Sequence, residues 1–124
     1  MGGLKGVFDT NILIDYLNGL AQAAAEIARY HDKIISRVTW MEVLVGIKAH
    51  EEPPVRAFLG TFRIVELTPP IAEEAIRLRR NVGKIKLPDA IIYATAKSEA
   101  CSLITRNTRD FDPTAADVLS PYTI

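Results

Sequence analysis

Five short apolar runs alternate with stretches of helical periodicity, and that alternation leaves few folds open to the chain. The runs read as strands at about residues 5–8, 33–36, 63–67, 102–105 and 117–119. Helices are expected over 10–17 and 20–30, the second Ala-rich and broken at "HDK", and over 39–49 and 54–61 with "EEPP" between them. Over 70–82, Ile71, Ala75, Leu78 and Val82 share one face and Gly83 follows as a stop. Leu87-Pro88-Asp89 opens a last helix, since Pro suits a first turn. Its body, "AIIYATA", is nearly all apolar and needs burial on most sides. Strands alternating with helices imply a short, mostly parallel central sheet covered on both faces. The expected fold is therefore α/β, a three-layer α/β/α sandwich formed by residues 1–124 as one domain. In such sheets, sites form beyond the carboxyl ends of the strands.

Composition narrows the function classes. Lys plus Arg and Asp plus Glu both number 15, so a polyanion would have to be held by local clusters or by metal ions. The single cysteine, Cys101, cannot form an internal disulfide, which fits a reducing compartment. No apolar h-region precedes Asp9 and no run approaches a membrane span, so the expectation is a cytoplasmic chain without a membrane partner. Walker and Rossmann glycine patterns are absent. No Ser-His or Cys-His pairing is evident, and His31 and His50 fall in expected surface turns or helix ends.

Several acids fall where a site would form. Asp9, in "VFDTNILID", ends the first strand, where burying a carboxylate costs several kcal/mol unless something compensates it. Glu42 lies one turn into the helix after the second strand, Asp89 in the first turn of the apolar helix, and Asn107 and Asp110 after the fourth strand. Each has an ordinary explanation: Thr39-Trp40-Met41-Glu42 matches a capping box, Asp89 complements a helix dipole, Asn11 caps a turn, and Asp110 caps one before Pro113. Brought together, they make a set of hard oxygen ligands that suits Mg²⁺ or Mn²⁺ rather than Zn²⁺. Such ions serve phosphate chemistry, and Thr105 and Asn107 would support them.

In order, "VFDTNILID", "TWMEVLVG", "KLPDAIIYATA" and "LITRNTRDF" resemble the successive motifs of PIN-domain nucleases, most of all the VapC-type toxins of toxin–antitoxin pairs. The resemblance runs from residue 7 to about 111. It implies an endoribonuclease that depends on Mg²⁺ or Mn²⁺ and cleaves RNA with a metal-activated water. Asp9, Glu42 and Asp89 match the family's three main acids and its metal ligands, Asn11 the residue supporting the first, and Thr105 the hydroxyl after the fourth strand. Asn107 stands where many relatives carry Asp, and Asp110, three residues later, either substitutes for that acid or only stabilises the loop. The resemblance also implies a small antitoxin partner and a homodimer, with a groove near Leu17, Leu44 and Val45 to receive the antitoxin.

Arg77, Arg79, Arg80, Lys84 and Lys86 form a basic run leading to Asp89, and Arg106 and Arg109 flank the same region. The run is either a solvated helix face or a phosphate-binding rim. Trp40, Tyr16 and Phe62 are expected in the core or an interface. The competing readings are a catalytically weak binding module of the same fold and an Asp-nucleophile phosphatase. The phosphatase wants an acid where Asn11 stands.

Overall fold

The computed structural model describes residues 3–124. In chain order the elements are β1 (Leu4–Phe8), α1 (Thr10–Leu17), α2 (Ala21–Ala28), β2 (Tyr30–Ser36), α3 (Arg37–Val45), α4 (Glu52–Leu59), β3 (Arg63–Val65), α5 (Pro69–Val82), α6 (Leu87–Ser98), β4 (Ser102–Ile104) and β5 (Val118–Leu119). The five strands form one parallel sheet in the order β3-β2-β1-β4-β5.

Successive side chains of a strand point to opposite faces, and here both faces are apolar. Val7, Ile34 and Leu103 pack with α5 and α6 around Ile71, Leu78, Ile85 and Ile92. Their chain neighbours Phe8, Ile35 and Ile104 pack against Ile12, Leu13, Ala23, Ile27, Val43 and Leu59 of α1 to α4. Two cores separated by a sheet make the expected three layers. Ala90, Ala94 and Ala96 keep α6 slim, so it sits deep in its layer while Ile92 is fully buried, worth about 1.5–3 kcal/mol for a side chain of that size. In β1, a Cβ on Gly6 would stand 2.8 Å from the Tyr30 ring. The glycine allows that ring to cross the strand.

The expected elements are present, with shifted edges. The chain from Tyr30 through Lys33 is the start of β2 rather than a break, because Tyr30 is buried and paired across to Leu4. The capping box at Thr39 is not formed. Helix α3 begins two residues earlier, with Ser36 Oγ accepting from Val38 N at 3.1 Å, which leaves Thr39 buried inside the helix. Helix α3 ends at Val45, short of the expected 49, and a 3₁₀ turn at Ala49–Glu51 leads into α4. Val82 is exposed at the end of α5 rather than part of its buried face, and Gly83 stops the helix with φ +84°. His31 lies in β2 and exposed, not in a turn.

The strand order reverses direction about β1. The chain leaves β1 for β2 on one side and later crosses to β4 on the other, so the crevice beyond their carboxyl ends is a topological switch point. Asp9 and Thr105 are the first residues past those two ends.

Candidate active site

Asp9 is 4% exposed, and its carboxylate is closely held. Oδ1 accepts from Thr10 N at 2.8 Å, and Oδ2 accepts from Thr105 Oγ1 at 2.8 Å and from Asn11 Nδ2 at 3.1 Å. Thr10 N opens α1, so Asp9 is also its N-cap. Burial pushes the Asp9 pKa up, while the bonds from Thr105, Thr10 and Asn11 pull it down and Glu42 adds to the rise; the net shift is upward.

Thr105 is fully buried and works as a junction. Its hydroxyl donates to Asp9 and accepts from Asn107 N at 2.9 Å and from Asn11 Nδ2 at 3.3 Å. Asn11 Oδ1 in turn accepts from Arg106 N at 3.2 Å. The ends of β1 and β4 are thus bound together by side chains as well as by the Asp9 N to Ile104 O bond of 2.8 Å.

Glu42 comes in from α3. Its Oε1 accepts from Thr10 Oγ1 at 2.6 Å, and Thr39 Oγ1 lies 3.2 Å from the same hydroxyl. Asp89 enters from the first turn of α6. It is half-buried, and its pKa is pushed up to about 6 by that burial and by the charges of Asp9, Glu42 and Asp110, with Lys86 opposing. Asp9, Asn11, Glu42, Asp89, Arg106 and Asn107 line one open hollow of about 390 Å³. Three carboxylates therefore line one hollow, and burial together with their mutual repulsion raises the pKa of Asp89.

The fourth position is divided between two residues. Asn107 Nδ2 donates to Asp110 Oδ2 at 3.0 Å, and Asn107 Oδ1 accepts from Asp110 N at 3.2 Å. Asn107 lines the hollow while Asp110 contributes its charge to Asp89 from one step back.

The basic run is dispersed. Arg77 is paired with Glu74, Arg79 donates to the Gly83 carbonyl, and Arg80 faces a separate hollow with Glu73 and Asn81. Lys84 is exposed in the α5–α6 turn, and Lys86 remains as the cation acting on Asp89. Arg109 is exposed. The expected groove residues also separate. Leu17 lines a hollow between α1 and α4 with Tyr16 and Phe58, Leu44 packs on the core, and Val45 shares an exposed apolar face with Met41, Leu87 and Ile91. Phe62 is buried and Trp40 is partly buried, between Arg37 and Arg56. Tyr16 is 39% exposed and stacks on Phe58.

Sequence reasoning missed Thr10, Thr39, Asp15 and Tyr122. Thr10 and Thr39 had a visible signal, polar residues on otherwise apolar turns beside named acids. Asp15 and Tyr122 had none, since only the fold brings residues so far apart in the chain together.

The model for the PIN domain matches residues 6–116. The chain belongs to the PIN-domain family. This PIN-domain chain is 31% identical to Ribonuclease VapC10 of Mycobacterium tuberculosis over 123 residues, covering 94% of this chain and 92% of that protein. A toxin-antitoxin complex from Klebsiella pneumoniae contains a chain 45% identical to it, with a TM-score of 0.90 over 97% of this chain and 100% of the other. FitAcB from Neisseria gonorrhoeae, at 22% identity and a TM-score of 0.80 over 96% and 99%, shares the fold.

The donor set of this PIN-domain site fits a hard divalent cation. It offers carboxylate oxygens without imidazole or thiolate, in a hollow open to water. Among the described residues, no three acidic, imidazole or thiol side chains close around a single point. An ion held there would keep several waters, as Mg²⁺ ordinarily does. Also among the described residues, no helix is long and apolar enough to cross a membrane.

Proposed function

We propose that this chain is a VapC-type ribonuclease, the toxin of a toxin–antitoxin pair, hydrolysing RNA phosphodiesters with a Mg²⁺- or Mn²⁺-dependent site. The observation that carries the reading is the meeting of Asp9, Glu42 and Asp89 in one hollow at the β1/β4 switch point. Its support from likeness is the near-complete coverage of a ribonuclease and of a toxin-complex chain. A small antitoxin is the partner, the cytoplasm the compartment, and a homodimer the assembly.

Asp9 and Asp89 would hold the cation, with Glu42 reaching it through water or directly. Bound there, the metal supplies Lewis-acid stabilisation of phosphate charge and a water of lowered pKa. The chain's own residues do the rest. Thr105, Thr10 and Asn11 fix both oxygens of Asp9, so its lone pairs into the hollow keep one direction. Thr10 sets Glu42 in the same way. Asp89, from the first turn of α6, brings its carboxyl into the same hollow as Asp9 and Glu42. Arg106 and Lys86 offer the positive charge that an RNA backbone needs beside three acids.

The test is cleavage of single-stranded and structured RNA with Mg²⁺ or Mn²⁺, comparing wild type with Asp9→Asn. Cutting by wild type and none by the variant is expected. No cutting under any metal would instead leave a binding module, and full activity of Asp9→Asn would unseat the site.

A further inference from the structure

Asp15 is buried in the second turn of α1, outside the lining of the hollow, and it carries a charge that the three-acid site does not use. Burial works to raise its pKa, but hydrogen bonds from Arg106 and Tyr122 outweigh it and hold the carboxyl below its usual range. The contact with Arg106 is a two-pronged fork. Nε donates to Oδ2 at 2.5 Å and Nη2 donates to Oδ1 at 2.9 Å. Tyr122 OH, from the segment after β5, donates to the same Oδ2 at 2.8 Å, and its ring packs on the α1–α4 core.

A guanidinium has five N–H donors in a rigid plane. The fork uses one on Nε and one on Nη2, which leaves both hydrogens of Nη1 and one of Nη2. Arg106 lines the hollow with Asp9 and Asp89, and beside the Asp15 fork its guanidinium has the Tyr122 hydroxyl for a neighbour. Its backbone N–H, at 3.2 Å from Asn11 Oδ1, ties its main chain to the group supporting Asp9. Surface arginines reach phosphate by sampling many rotamers. This one is held by a buried acid that is itself held from a third segment.

We propose that Asp15 and Tyr122 are positioning residues that hold the Arg106 guanidinium as a fixed phosphate-binding fork on the rim of the acidic hollow. The inference rests on the ribonuclease reading and deepens it. A ready-made fork binds substrate and transition state alike, so its loss raises KM with kcat nearly unchanged. A merely structural role for Asp15 or Tyr122 would reduce the folded fraction, lowering kcat per total protein with KM unmoved.

The experiment measures kcat and KM on a short single-stranded RNA for wild type, Asp15→Asn, Tyr122→Phe, Arg106→Gln and the Arg106→Gln/Tyr122→Phe pair. Affinity for the same RNA is measured in the cleavage-deficient Asp9→Asn background by fluorescence anisotropy. Arg106→Gln and Asp15→Asn are expected to raise KM and Kd about tenfold, the weight of one charge-assisted phosphate contact. Tyr122→Phe, which keeps its ring and fold, is expected to raise both about threefold. In the Arg106→Gln background Tyr122→Phe has no further effect on either, because its action passes through the arginine. Unchanged KM and Kd in Tyr122→Phe, or an equal effect with and without Arg106, overturns the proposal while wild-type cleavage leaves the ribonuclease reading intact. A wild type that neither cuts nor binds RNA overturns both, and the wild-type lane alone identifies that case.

Discussion

Replacing Asp89 with Asn should make the protein more stable and inactive at once, and pH should control the size of the gain. In the folded chain the Asp89 pKa stands at about 6 against 3.8 for an unperturbed Asp, through burial and the charges of Asp9, Glu42 and Asp110. A rise of that size amounts to about 3 kcal/mol of penalty on the charged form at neutral pH. The carboxyl is only half-buried, so solvent screening reduces this to about 2 kcal/mol. Removing the charge also loses its favourable place at the α6 N-terminus, about 0.3–1 kcal/mol. The net expectation at pH 7 is a gain of about 1–1.5 kcal/mol. The sign follows from linkage. Well below pH 3.8 the carboxyl is protonated in both states and the penalty is absent; it grows as pH rises through the window from 3.8 to about 6 and is complete above it. Urea unfolding of wild type and Asp89→Asn in EDTA, from pH 4 to pH 8, reads this directly. A variant no more stable than wild type at pH 7, or a gain that does not shrink toward pH 4, would refute the electrostatic account of the hollow.

Thr105→Val, nearly isosteric, should cost about 2–4 kcal/mol in urea midpoint experiments, because Asp9 loses a charge-assisted donor and Asn107 N loses its acceptor. The same variant should raise the Asp9 pKa further, read by carboxyl ¹³C NMR titration. Millimolar Mn²⁺ should raise the wild-type Tm by a few degrees and Asp9→Asn by much less, checked by thermal melts with and without the ion. Gly83→Ala should lower stability by about 1 kcal/mol, since φ +84° strains any side chain there.

The alternation of strands and helices was legible because the strands at the centre of the sheet bury consecutive residues on both faces and most helices bury one face. "VFD", "KII" and "SLIT" are apolar runs with polar ends for that reason. Asp9, Glu42 and Asp89 were legible as acids just past strands or at helix starts, which parallel topology gathers at one edge. The cap of α3 was misread because Thr39 and Glu42 have capping-box spacing. In the fold that spacing brings both to Thr10 instead, a partner 29 and 32 residues away. The basic run is adjacent in sequence but not in the fold. On α5, Arg77 and Arg80 point along a helix face with its own acids, and only Lys86, past the stop at Gly83, acts on Asp89.

The opposed orientation of Val7 and Phe8 has a consequence for how such a chain can change. One residue inserted into β1 would exchange the two layers' side chains and turn Asp9 out of the hollow in the same step. Sequence length in β1 is therefore locked by packing and chemistry together, with no intermediate that keeps one and loses the other. The turn after α5 and the stretch between Phe111 and β5 carry no such parity. Drift in length, and with it new preferences among substrates or partners, has those places open to it.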